Sequence, residues 1–432
     1  MDTHDLYKIY QQYSSIKIDT RKVEKGDLFF ALKGPSFNGN HFAQQAIDTG
    51  AAYVIVDEEL HFTHEKIIKT NDVLQTLQQL AKHHRKQFNN PFIAITGSNG
   101  KTTTKELVHE VLSSTYKTYT TEGNLNNHIG IPLTILKIKK DAEIAVIEMG
   151  ANHQKEIEGY CKYAMPTHGL ITNIGKAHLE GFGGIEGVKK GKGELFDFLK
   201  KNNGIAFVNS DDKYLKEISA GIKNSTYGTV EGSITGSAKS TSSFLEVEII
   251  KGADIGSIKT QLVGGYNLLN VLAAAAIGKH FNVADEKIKS AIENYIPSNS
   301  RSQLIKQESN TIILDAYNAN PASMKVAIEN FAQMQGSNKI LLLGSMMELG
   351  EESEKEHTEI IHLIDKYKWS NVVLVGNNFK KIKHSYTHFN NSEEAKAWLK
   401  DQQVKDSQIL IKGSRSMQME KVLEKIKKRP PC

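Results

Sequence analysis

A glycine-rich loop between an apolar strand and a helix constrains the fold of this chain more than any other feature. The strand is predicted over residues 92–96. The loop from Gly97 to Thr103 reads G-S-N-G-K-T-T and is shorter than the general pattern, whose first glycine would fall at Ile95. Glycines let backbone N–H groups turn toward a phosphate, and the helix N-terminus adds its dipole. The loop therefore predicts a nucleotide site in which Lys101 neutralises the β- and γ-phosphates and Thr102 ligates Mg²⁺.

Three further apolar strands follow this loop, at residues 144–147, 169–172 and 205–208, with helical stretches between them. Strands that alternate with helices indicate a parallel sheet covered on both faces. Residues 231–263 differ, because they are rich in Ser, Thr and Gly and their apolar residues alternate. We interpret this segment as antiparallel strands appended to the parallel sheet of a central, P-loop ATPase-like domain.

The segment before the loop predicts a small mixed α/β domain. Strands are expected at 27–32 and 52–56, and helices at 42–49 and 73–86, where apolar residues have helical spacing. The run Asn89-Asn90-Pro91 then marks a break. These patterns place an N-terminal domain over residues 1–90.

The segment after the central domain predicts a Rossmann-like domain. Pro297-Ser298-Asn299-Ser300 marks the second boundary, and apolar strands alternate with helical stretches beyond it. This alternation is typical of a doubly wound α/β fold. The predicted strands are 312–314, 340–343, 372–375 and 409–411. The chain is therefore expected to be an α/β protein of three domains, over 1–90, 91–297 and 298–432.

Composition narrows the classes of function. The chain has 432 residues and a net charge of +5, and its densest basic cluster is interpreted as a solvated tail rather than a nucleic-acid site. Cys161 and Cys432 lie far apart, which disfavours a disulfide framework. No signal-peptide core or bilayer-length apolar run occurs, so we expect a cytoplasmic protein without membrane insertion or a nucleic-acid partner. The basic cluster consists of Lys425, Lys427, Lys428 and Arg429.

Polar residues that follow two of the other central strands are predicted to meet the phosphate loop. Glu148 ends the second apolar strand, and His178 and Glu180 follow the third. Because loops at the carboxyl edge of a parallel sheet lie together, we expect Glu148 and His178 to act as metal ligands beside the phosphates. Lys192 lies in a lysine-rich segment that we interpret as the start of a helix, and on these grounds alone it has no role.

Taken together, seven segments of the chain resemble corresponding segments of the Mur ligase family. The three C-terminal segments are most similar to the member that adds D-Ala-D-Ala. The chain departs from the family where Asn38-Gly39-Asn40 replaces Asp-Gly-His, and where Ser345 replaces the aspartate of Leu-Gly-Asp-Met. The seven segments are 19–29, 96–104, 123–134, 266–270, 315–324, 343–350 and 412–415.

The resemblance implies a role for each matched residue. The implied catalytic residues are Lys101, Lys192 and His178, with Lys192 carbamylated so that it bridges or orients a second Mg²⁺. Implied ATP contacts are Gly97, Asn99, Gly100, Lys101, Thr102 and Thr103, with Asn267 and Asn270 on the adenine side, Arg301 near the phosphates and Asp315 at the ribose. Implied metal ligands are Thr102, Glu148, His178 and Lys192. Implied substrate contacts are Thr20, Arg21, Asn124, Asn126, Asn127, Asn318, Asn320 and Arg415.

The resemblance also implies the reaction. A member of this kind would join the carboxylate of UDP-N-acetylmuramoyl-tripeptide to the amine of D-Ala-D-Ala through an acyl phosphate, giving ADP and phosphate. This step belongs to peptidoglycan precursor synthesis, and so to cell shape and division. The three domains would bind the UDP-muramyl substrate, ATP and the dipeptide, in that order along the chain, and the enzyme is expected to be a monomer.

Two alternatives stay open at the level of sequence. One is another amide ligase of the same superfamily, such as the Mur ligase that adds the third residue or a folylpolyglutamate synthetase. The segments around Asp315 and Glu348 argue against both. The other is a P-loop NTPase that binds nucleic acid or acts as a switch, although no dense basic patch with interleaved aromatic residues occurs. A ligase is expected to hydrolyse little ATP until both acceptors are present.

Overall fold

The structure, a computed structural model, describes residues 1–239, 244–298 and 300–423. Its three large sheets come from successive stretches of the chain and are built mainly from parallel strands, which confirms the α/β class. The predicted basic tail at 425–429, Cys432 and Asn299 of the predicted second boundary lie outside the described residues. No helix within the described part of the chain combines the length and apolar composition needed to cross a bilayer.

The first sheet is parallel, with strand order β1-β2-β5-β6, and a short antiparallel hairpin, β3-β4, stands beside it. Asp72 caps α3 by accepting from the backbone N–H of Gln75, and Leu77 and Leu80 of this helix are fully buried. The predicted strand at 27–32 is shorter than expected, since the chain enters the hairpin soon after Phe30. The elements are α1 Thr3–Gln12, β1 Ile16–Lys17, β2 Leu28–Phe30, β3 Lys33–Gly34, β4 Phe37–Asn38, α2 Ala43–Thr49, β5 Tyr53–Val56, β6 Ile67–Lys69 and α3 Val73–Arg85.

The second sheet has nine strands in the order β15-β14-β13-β12-β11-β10-β7-β9-β8. In this order, every strand from β13 to β8, including β7, runs parallel to its neighbour. Strands β14 and β15 pair antiparallel, which confirms the appended antiparallel strands. The elements are β7 Phe92–Thr96, α4 Lys101–Ser113, β8 Thr118–Thr120, α5 Gly130–Leu136, β9 Ile144–Glu148, α6 Glu156–Ala164, β10 His168–Ile171, α7 Leu179–Phe182, α8 Ile185–Lys201, β11 Ile205–Asn209, α9 Lys213–Ile218, β12 Lys223–Gly228, β13 Ile234–Lys239, β14 Glu246–Lys251, β15 Ser257–Lys259, α10 Leu268–His280 and α11 Asp285–Asn294.

The order of the second sheet places β7 between β9 and β10. The strands that follow β7 in the chain therefore lie on both sides of it, with β9 on one side and β10 on the other. A crevice opens at the carboxyl ends of these three strands. In open α/β sheets such a switch point is where ligands bind. The phosphate loop, Glu148 and His178 lie at or after the carboxyl ends of these three strands.

The third sheet has the order β16-β17-β21-β18-β19-β20, parallel except for the edge strand β16. Its four central apolar strands match the predicted ones to within two residues at each end, because each is a continuous buried run. The elements are β16 Gln303–Gln307, β17 Asn310–Asp315, α12 Pro321–Gln333, β18 Lys339–Gly344, α13 Ser353–Ile364, β19 Asn371–Val375, α14 Asn377–Lys380, β20 Thr387–Phe389, α15 Ser392–Asp401 and β21 Gln408–Lys412.

The interpretation of the lysine-rich segment as a helix start is wrong. Lys192 lies in the middle of α8, and its side chain is fully buried. Gly187 and Gly191 lie on the face of α8 that meets Phe182, and a Cβ at Gly191 would stand 2.4 Å from that ring. Glycine at these two positions lets Phe182 approach the interior of the helix closely.

Candidate active site

The phosphate loop occupies the turn between β7 and α4, as the sequence predicts. Gly97 and Gly100 have φ values of +139° and +77°, which residues with a Cβ rarely adopt. Space is equally restrictive, because a Cβ at Gly97 would lie 2.0 Å from Thr172 Oγ1 and one at Gly100 would lie 2.7 Å from Asn270 Oδ1. The loop is therefore held in one conformation by neighbours that leave room only for glycine.

Asn99, at the tip of this loop, is held by two residues that the sequence analysis did not single out. Its backbone N–H donates to Asn173 Oδ1 at 3.0 Å, and its carbonyl accepts from Asn173 Nδ2 at 3.0 Å and from Thr172 Oγ1 at 2.6 Å. Both residues come directly after β10. Their position at the carboxyl edge of the sheet was the signal that could have identified them.

Lys101 folds back over the loop in this structure. Its Nζ donates to the carbonyls of Gly97 at 2.7 Å and of Ser98 at 3.1 Å. Burial in the cleft lowers the pKa of Lys101 to about 8; the charge of Glu148 opposes this shift, and that of Arg301 adds to it. An arriving phosphate would offer oxygens in place of these carbonyls, so the ammonium is placed to exchange partners.

Glu148 is almost fully buried and is bound on both carboxylate oxygens. Thr102 Oγ1 donates to Oε2 at 2.9 Å, and Asn126 Nδ2 donates to Oε1 at 2.7 Å. The loop threonine and the acid that ends β9, both expected as metal ligands, therefore lie within hydrogen-bond distance of each other. Asn126, expected on the substrate side, reaches the same carboxylate.

His178 lies between two domains. It has a left-handed backbone conformation, with φ of +52°, and its Nδ1 is hydrogen-bonded to Glu348 of the C-terminal domain. This contact lowers the pKa of the Glu348 carboxyl. Because Nδ1 is engaged, Nε2 is the ring nitrogen that remains for a ligand. The sequence placed His178 at the edge of the sheet but gave no sign of the glutamate it meets.

Lys192 lies behind the cleft wall. Its Nζ donates to the carbonyl of Ala151 at 3.0 Å, and the described residues provide no carboxylate partner within ion-pair distance. Burial lowers the pKa of Lys192 well below its ordinary value, and the charge of Lys101 acts in the same direction, while Glu156 and Glu194 oppose it. The side chain is therefore a buried amine that favours its neutral form.

These side chains meet in a cleft of about 420 Å³ between the central and C-terminal domains. Of the predicted site residues, Gly97 and Lys192 stand behind its wall. Arg301 reaches the cleft with its guanidinium carbon 3.6 Å from the centroid of the Tyr317 ring, and its buried Nε has no hydrogen-bond partner among the described residues. The predicted residues that line the cleft are Asn99, Gly100, Lys101, Thr102, Asn124, Asn126, Asn127, Glu148, His178, Arg301, Asn318, Asn320 and Arg415.

A second cavity of about 230 Å³ adjoins the first at the phosphate loop. Thr103, Asn267, Asn270 and Asp315 line it. Asn270 Nδ2 donates to Asn267 Oδ1 at 2.9 Å, and Asn270 Oδ1 accepts from Thr104. The predicted adenine-side and ribose-side residues thus share one cavity beside the loop.

Further polar groups of this second cavity were missed by the sequence analysis. Lys412 Nζ donates to Asp315 Oδ2, and the Ser302 backbone N–H donates to Oδ1 of the same carboxylate at 3.1 Å. Tyr266 forms a hydrogen bond with Ser302. Lys412 opens the matched segment 412–415, where only Arg415 was expected to act, so its position at the end of β21 was the available signal.

Thr20 and Arg21 are not brought to either cavity. Thr20 is buried, whereas the Arg21 side chain is 85% exposed and pairs with Asp19 at 2.8 Å. The departure from the family at Asn40 is internal, since this residue is 2% exposed and its Nδ2 donates to Asp57 Oδ1 at 2.9 Å. The N-terminal residues therefore belong to a separate surface of the molecule.

The residues expected on the dipeptide side split into two kinds. Asn320 caps α12, and its Nδ2 donates to Asn99 Oδ1 of the phosphate loop at 2.8 Å. Asn318 Oδ1 accepts from the backbone N–H of Ala319. Arg415 is 60% exposed at its side chain and pairs with Glu420. Asn320 is thus engaged between domains, while Arg415 remains accessible in the cleft.

The donor set near the loop fits a hard cation held jointly with phosphate. A threonine hydroxyl and a carboxylate are the oxygen donors that Mg²⁺ shares with a nucleotide, and the ion usually keeps several waters. No three acid, histidine or cysteine side chains among the described residues cluster as a self-sufficient metal cage. Thr102 and Glu148 therefore fit Mg²⁺ that arrives with a nucleotide.

Comparison with known proteins gives matches along the whole chain. The family models Mur ligase family, catalytic domain; Mur ligase middle domain; and Mur ligase, glutamate ligase domain match residues 12–85, 95–278 and 300–415. The chain is 35% identical over 96% of its length, and 93% of the relative's, to the UDP-N-acetylmuramoyl-tripeptide–D-alanyl-D-alanine ligase of Bacillus subtilis. It is 34% identical to the ligase of the same name from Escherichia coli, covering 97% of this chain and 94% of the relative.

Solved structures agree with these matches. A crystal structure of MurF from Acinetobacter baumannii has 30% identity and a TM-score of 0.87, with 97% of each chain covered. The MurF ligase from Thermotoga maritima in complex with ADP has 27% identity and a TM-score of 0.85, covering 95% of this chain and 96% of that one. The phosphate loop, the acid that ends β9 and these full-length matches together establish that the chain belongs to the Mur ligase family.

Proposed function

We propose that this chain is an ATP-dependent ligase of peptidoglycan precursor synthesis that adds D-alanyl-D-alanine to UDP-N-acetylmuramoyl-tripeptide. The observation that carries the proposal is the identity of 35% to a ligase of that name over nearly the full length of both chains. The phosphate loop, the acid at the end of β9 and the adjoining cavity supply the chemistry that such a reaction needs. Because the reaction consumes ATP, we place it in the cytoplasm.

The reaction has two steps. An oxygen of the tripeptide carboxylate attacks the γ-phosphorus of ATP, so that a C–O–P linkage forms while the bond to the β-phosphate oxygen breaks and ADP leaves. The dipeptide amine then attacks the acyl carbon, loses a proton, and displaces inorganic phosphate to leave an amide. The acyl phosphate reacts with water, so the site must exclude solvent between the steps.

Residues of the central domain, with three from the C-terminal domain, would bind ATP. Backbone N–H groups of the loop and Lys101 would hold the β- and γ-phosphates, and Asn267 and Asn270 would face the adenine. Asp315, beside Lys412, would accept from a ribose hydroxyl, and Arg301 would turn its unpartnered Nε toward the phosphates. Thr102 and Glu148 would hold Mg²⁺, which disperses negative charge on the phosphates when bound.

Lys192 would act as a carbamate. A neutral amine is the form that adds carbon dioxide, and burial favours that form at Lys192. The carbamate would add oxygen ligands for a second Mg²⁺. The fully buried position behind Ala151 explains how one lysine among several nearby would be selected.

Each of the three domains, over residues 1–90, 91–297 and 298–432, would bind one substrate. The enzyme would act as a monomer. Thr20 and Arg21 would contact the uridine nucleotide, which places that end of the substrate away from the cleft. Asn124, Asn126 and Asn127 would face the muramyl peptide, and the C-terminal loops that carry Asn318, Asn320 and Arg415 would present the dipeptide.

The test is a substrate assay that follows ADP and the amide product together. Purified enzyme with Mg²⁺ and ATP is given UDP-N-acetylmuramoyl-tripeptide and one amine: D-Ala-D-Ala, D-Ala or meso-diaminopimelate. We expect turnover with D-Ala-D-Ala alone, since a site that pairs the extra peptide group discriminates by orders of magnitude against an amine that lacks it. Turnover with diaminopimelate on a muramyl dipeptide, and none with D-Ala-D-Ala, would instead identify the ligase that adds the third residue.

A further inference from the structure

The loop after β10 bridges the central and C-terminal domains. Lys176 Nζ donates to Glu356 Oε1 of α13 at 2.6 Å, and His178 meets Glu348 two residues further on. Close packing accompanies these pairs, because a Cβ at Gly350 would lie 3.3 Å from the Glu180 side chain. One short loop of the central domain therefore contacts the C-terminal domain at successive points.

The two ends of the Lys176–Glu356 pair differ in their surroundings. The Lys176 side chain is 53% exposed, whereas the Glu356 side chain is 5% exposed. The lysine is the only cation within ion-pair distance of Glu356 among the described residues. A buried carboxylate that loses its one cation is destabilised more than an exposed one, so the pair favours the docked arrangement of the two domains.

The docked arrangement also reaches the phosphate loop. Asn320 of the C-terminal domain donates to Asn99 at the loop tip, and Asn99 is held from the other side by Asn173. Asn173 and Lys176 belong to the same short segment. The contact between α13 and Lys176 is therefore linked, through the segment that carries Asn173, to the contacts that position the phosphate loop. The acyl phosphate would form at that loop.

We infer that Lys176 is a positioning residue, which holds the C-terminal domain against the central domain while the acyl phosphate is exposed to its amine acceptor. The inference rests on the proposed function for its chemistry. Lys176 is not among the residues that line either cavity, so its effect passes through Glu356. Loss of the contact lets the domains separate, and water then adds to the acyl phosphate and releases phosphate and the original carboxylate.

The experiment compares Lys176→Met, which removes the charge and keeps most of the side chain, with Glu356→Gln and Lys176→Arg. Lys137→Met is the matched control, because Lys137 pairs with Glu122 within the central domain, also at 2.6 Å, and is 55% exposed. The first readout is the ratio of ADP to amide product. The second is the radius of gyration from X-ray scattering with muramyl tripeptide and a non-hydrolysable ATP analogue, which requires no turnover.

We expect wild type, Lys176→Arg and Lys137→Met to form about one ADP per amide. We expect Lys176→Met and Glu356→Gln to form several ADP per amide, with KM for the dipeptide raised about tenfold and a larger radius of gyration. An unchanged ratio and radius in Lys176→Met, or the same change in Lys137→Met, would overturn the inference. If wild type forms no amide, the proposed function fails, while scattering still decides whether Lys176 holds the domains together.

Discussion

Two lysines at the candidate site have lowered pKa values for the same physical reason, which is burial beside other charged groups. Lys101 faces the cleft and has a pKa of about 8, so it is mostly protonated at neutral pH and can pair with phosphate. Lys192 is enclosed, and its pKa falls well below the ordinary value. On the proposed function, this difference in enclosure would separate a cation that binds phosphate from an amine that reacts with carbon dioxide.

Lys101→Ala is expected to reduce kcat on the order of 10²-fold or more while leaving the fold intact, since a positioned cation stabilises the transferring phosphoryl group. Phosphate binding favours the charged lysine and so raises its pKa above about 8. ATP binding should therefore take up a proton above about pH 8, and affinity should fall as pH rises through that value. Calorimetry in buffers of different ionisation enthalpy measures this uptake. Near-wild-type turnover in Lys101→Ala would refute the assignment of the ATP site.

Lys192→Ala is expected to lose most activity, and a small carboxylate added to the assay should restore part of it by replacing the carbamate oxygens. Mass spectrometry of the intact wild-type protein at neutral pH should show the added carbon dioxide. Lys190→Ala is the control, because Lys190 lies on the same helix but is exposed. Wild-type rates in Lys192→Ala would show that no carbamate is needed.

At the scale of elements, the sequence predicted the strands well and the interior of helix α8 poorly. Strands β7, β9, β18 and β19 are continuous apolar runs that stay buried on both faces, so their sequence is sufficient to identify them. Helix α8 contains glycines whose role is contact with Phe182, a residue from the preceding helix. Periodicity cannot indicate such a tertiary contact, and the position of Lys192 was therefore misjudged.

Residues of the site were predictable where a strand end fixes them. Thr102 and Glu148 follow neighbouring parallel strands, and the structure pairs them. Glu348 and Glu356 come from another domain, so nothing local indicated that they would meet His178 and Lys176. Contacts made by docking of one domain on another lie beyond what spacing within a single sheet can predict.

Gly100→Ala tests the phosphate loop as an element. The left-handed backbone costs a residue with a Cβ about 1–2 kcal/mol, and the new methyl would also press on Asn270. We expect lower stability and a KM for ATP raised at least tenfold, measured by thermal unfolding and initial rates. Gly159→Ala is the control, since Gly159 lies within α6 with open space at its Cβ position, and it should stabilise by about 0.5–1 kcal/mol. Equal behaviour of the two variants would contradict this account of the loop.

On the scale of the whole molecule, one hydrophobic cluster extends through both the N-terminal and the central domain, each of which also has a cluster of its own. The C-terminal domain forms two further clusters. The shared cluster runs from Leu6 through Phe92 to Leu199 without a break between domains. Arg85 adds to this junction, with its guanidinium donating to the carbonyls of Ala164, Met165 and Phe88. The domain that would bind the uridine nucleotide is thus fixed to the ATP site.

The C-terminal domain is attached differently. Its two core clusters are formed from residues after 303, and Val263 is the one buried central-domain residue that joins either of them within the described chain. Polar contacts also link the domain to the phosphate side, such as Asn320 to Asn99 and Lys176 to Glu356. Polar contacts at a domain boundary separate at lower cost than a shared apolar core. We therefore expect the N-terminal and central domains to behave as one body and the C-terminal domain to separate from them more readily.

This division predicts two unfolding transitions in scanning calorimetry without ligands. Arg85→Met should lower the free energy of unfolding only for the transition of the N-terminal and central domains, by about 2 kcal/mol or more. Two buried hydrogen bonds and one partly buried hydrogen bond to backbone carbonyls would be lost. Phe331→Leu, in the core of the C-terminal domain, should lower the free energy of unfolding only for the other transition, by about 1 kcal/mol. Addition of an ATP analogue with muramyl tripeptide should bring the two transitions together, since both domains would then contribute to one bound state. A single two-state transition in the ligand-free protein, shifted by both variants, would show instead that the C-terminal domain is as firmly joined as the other two.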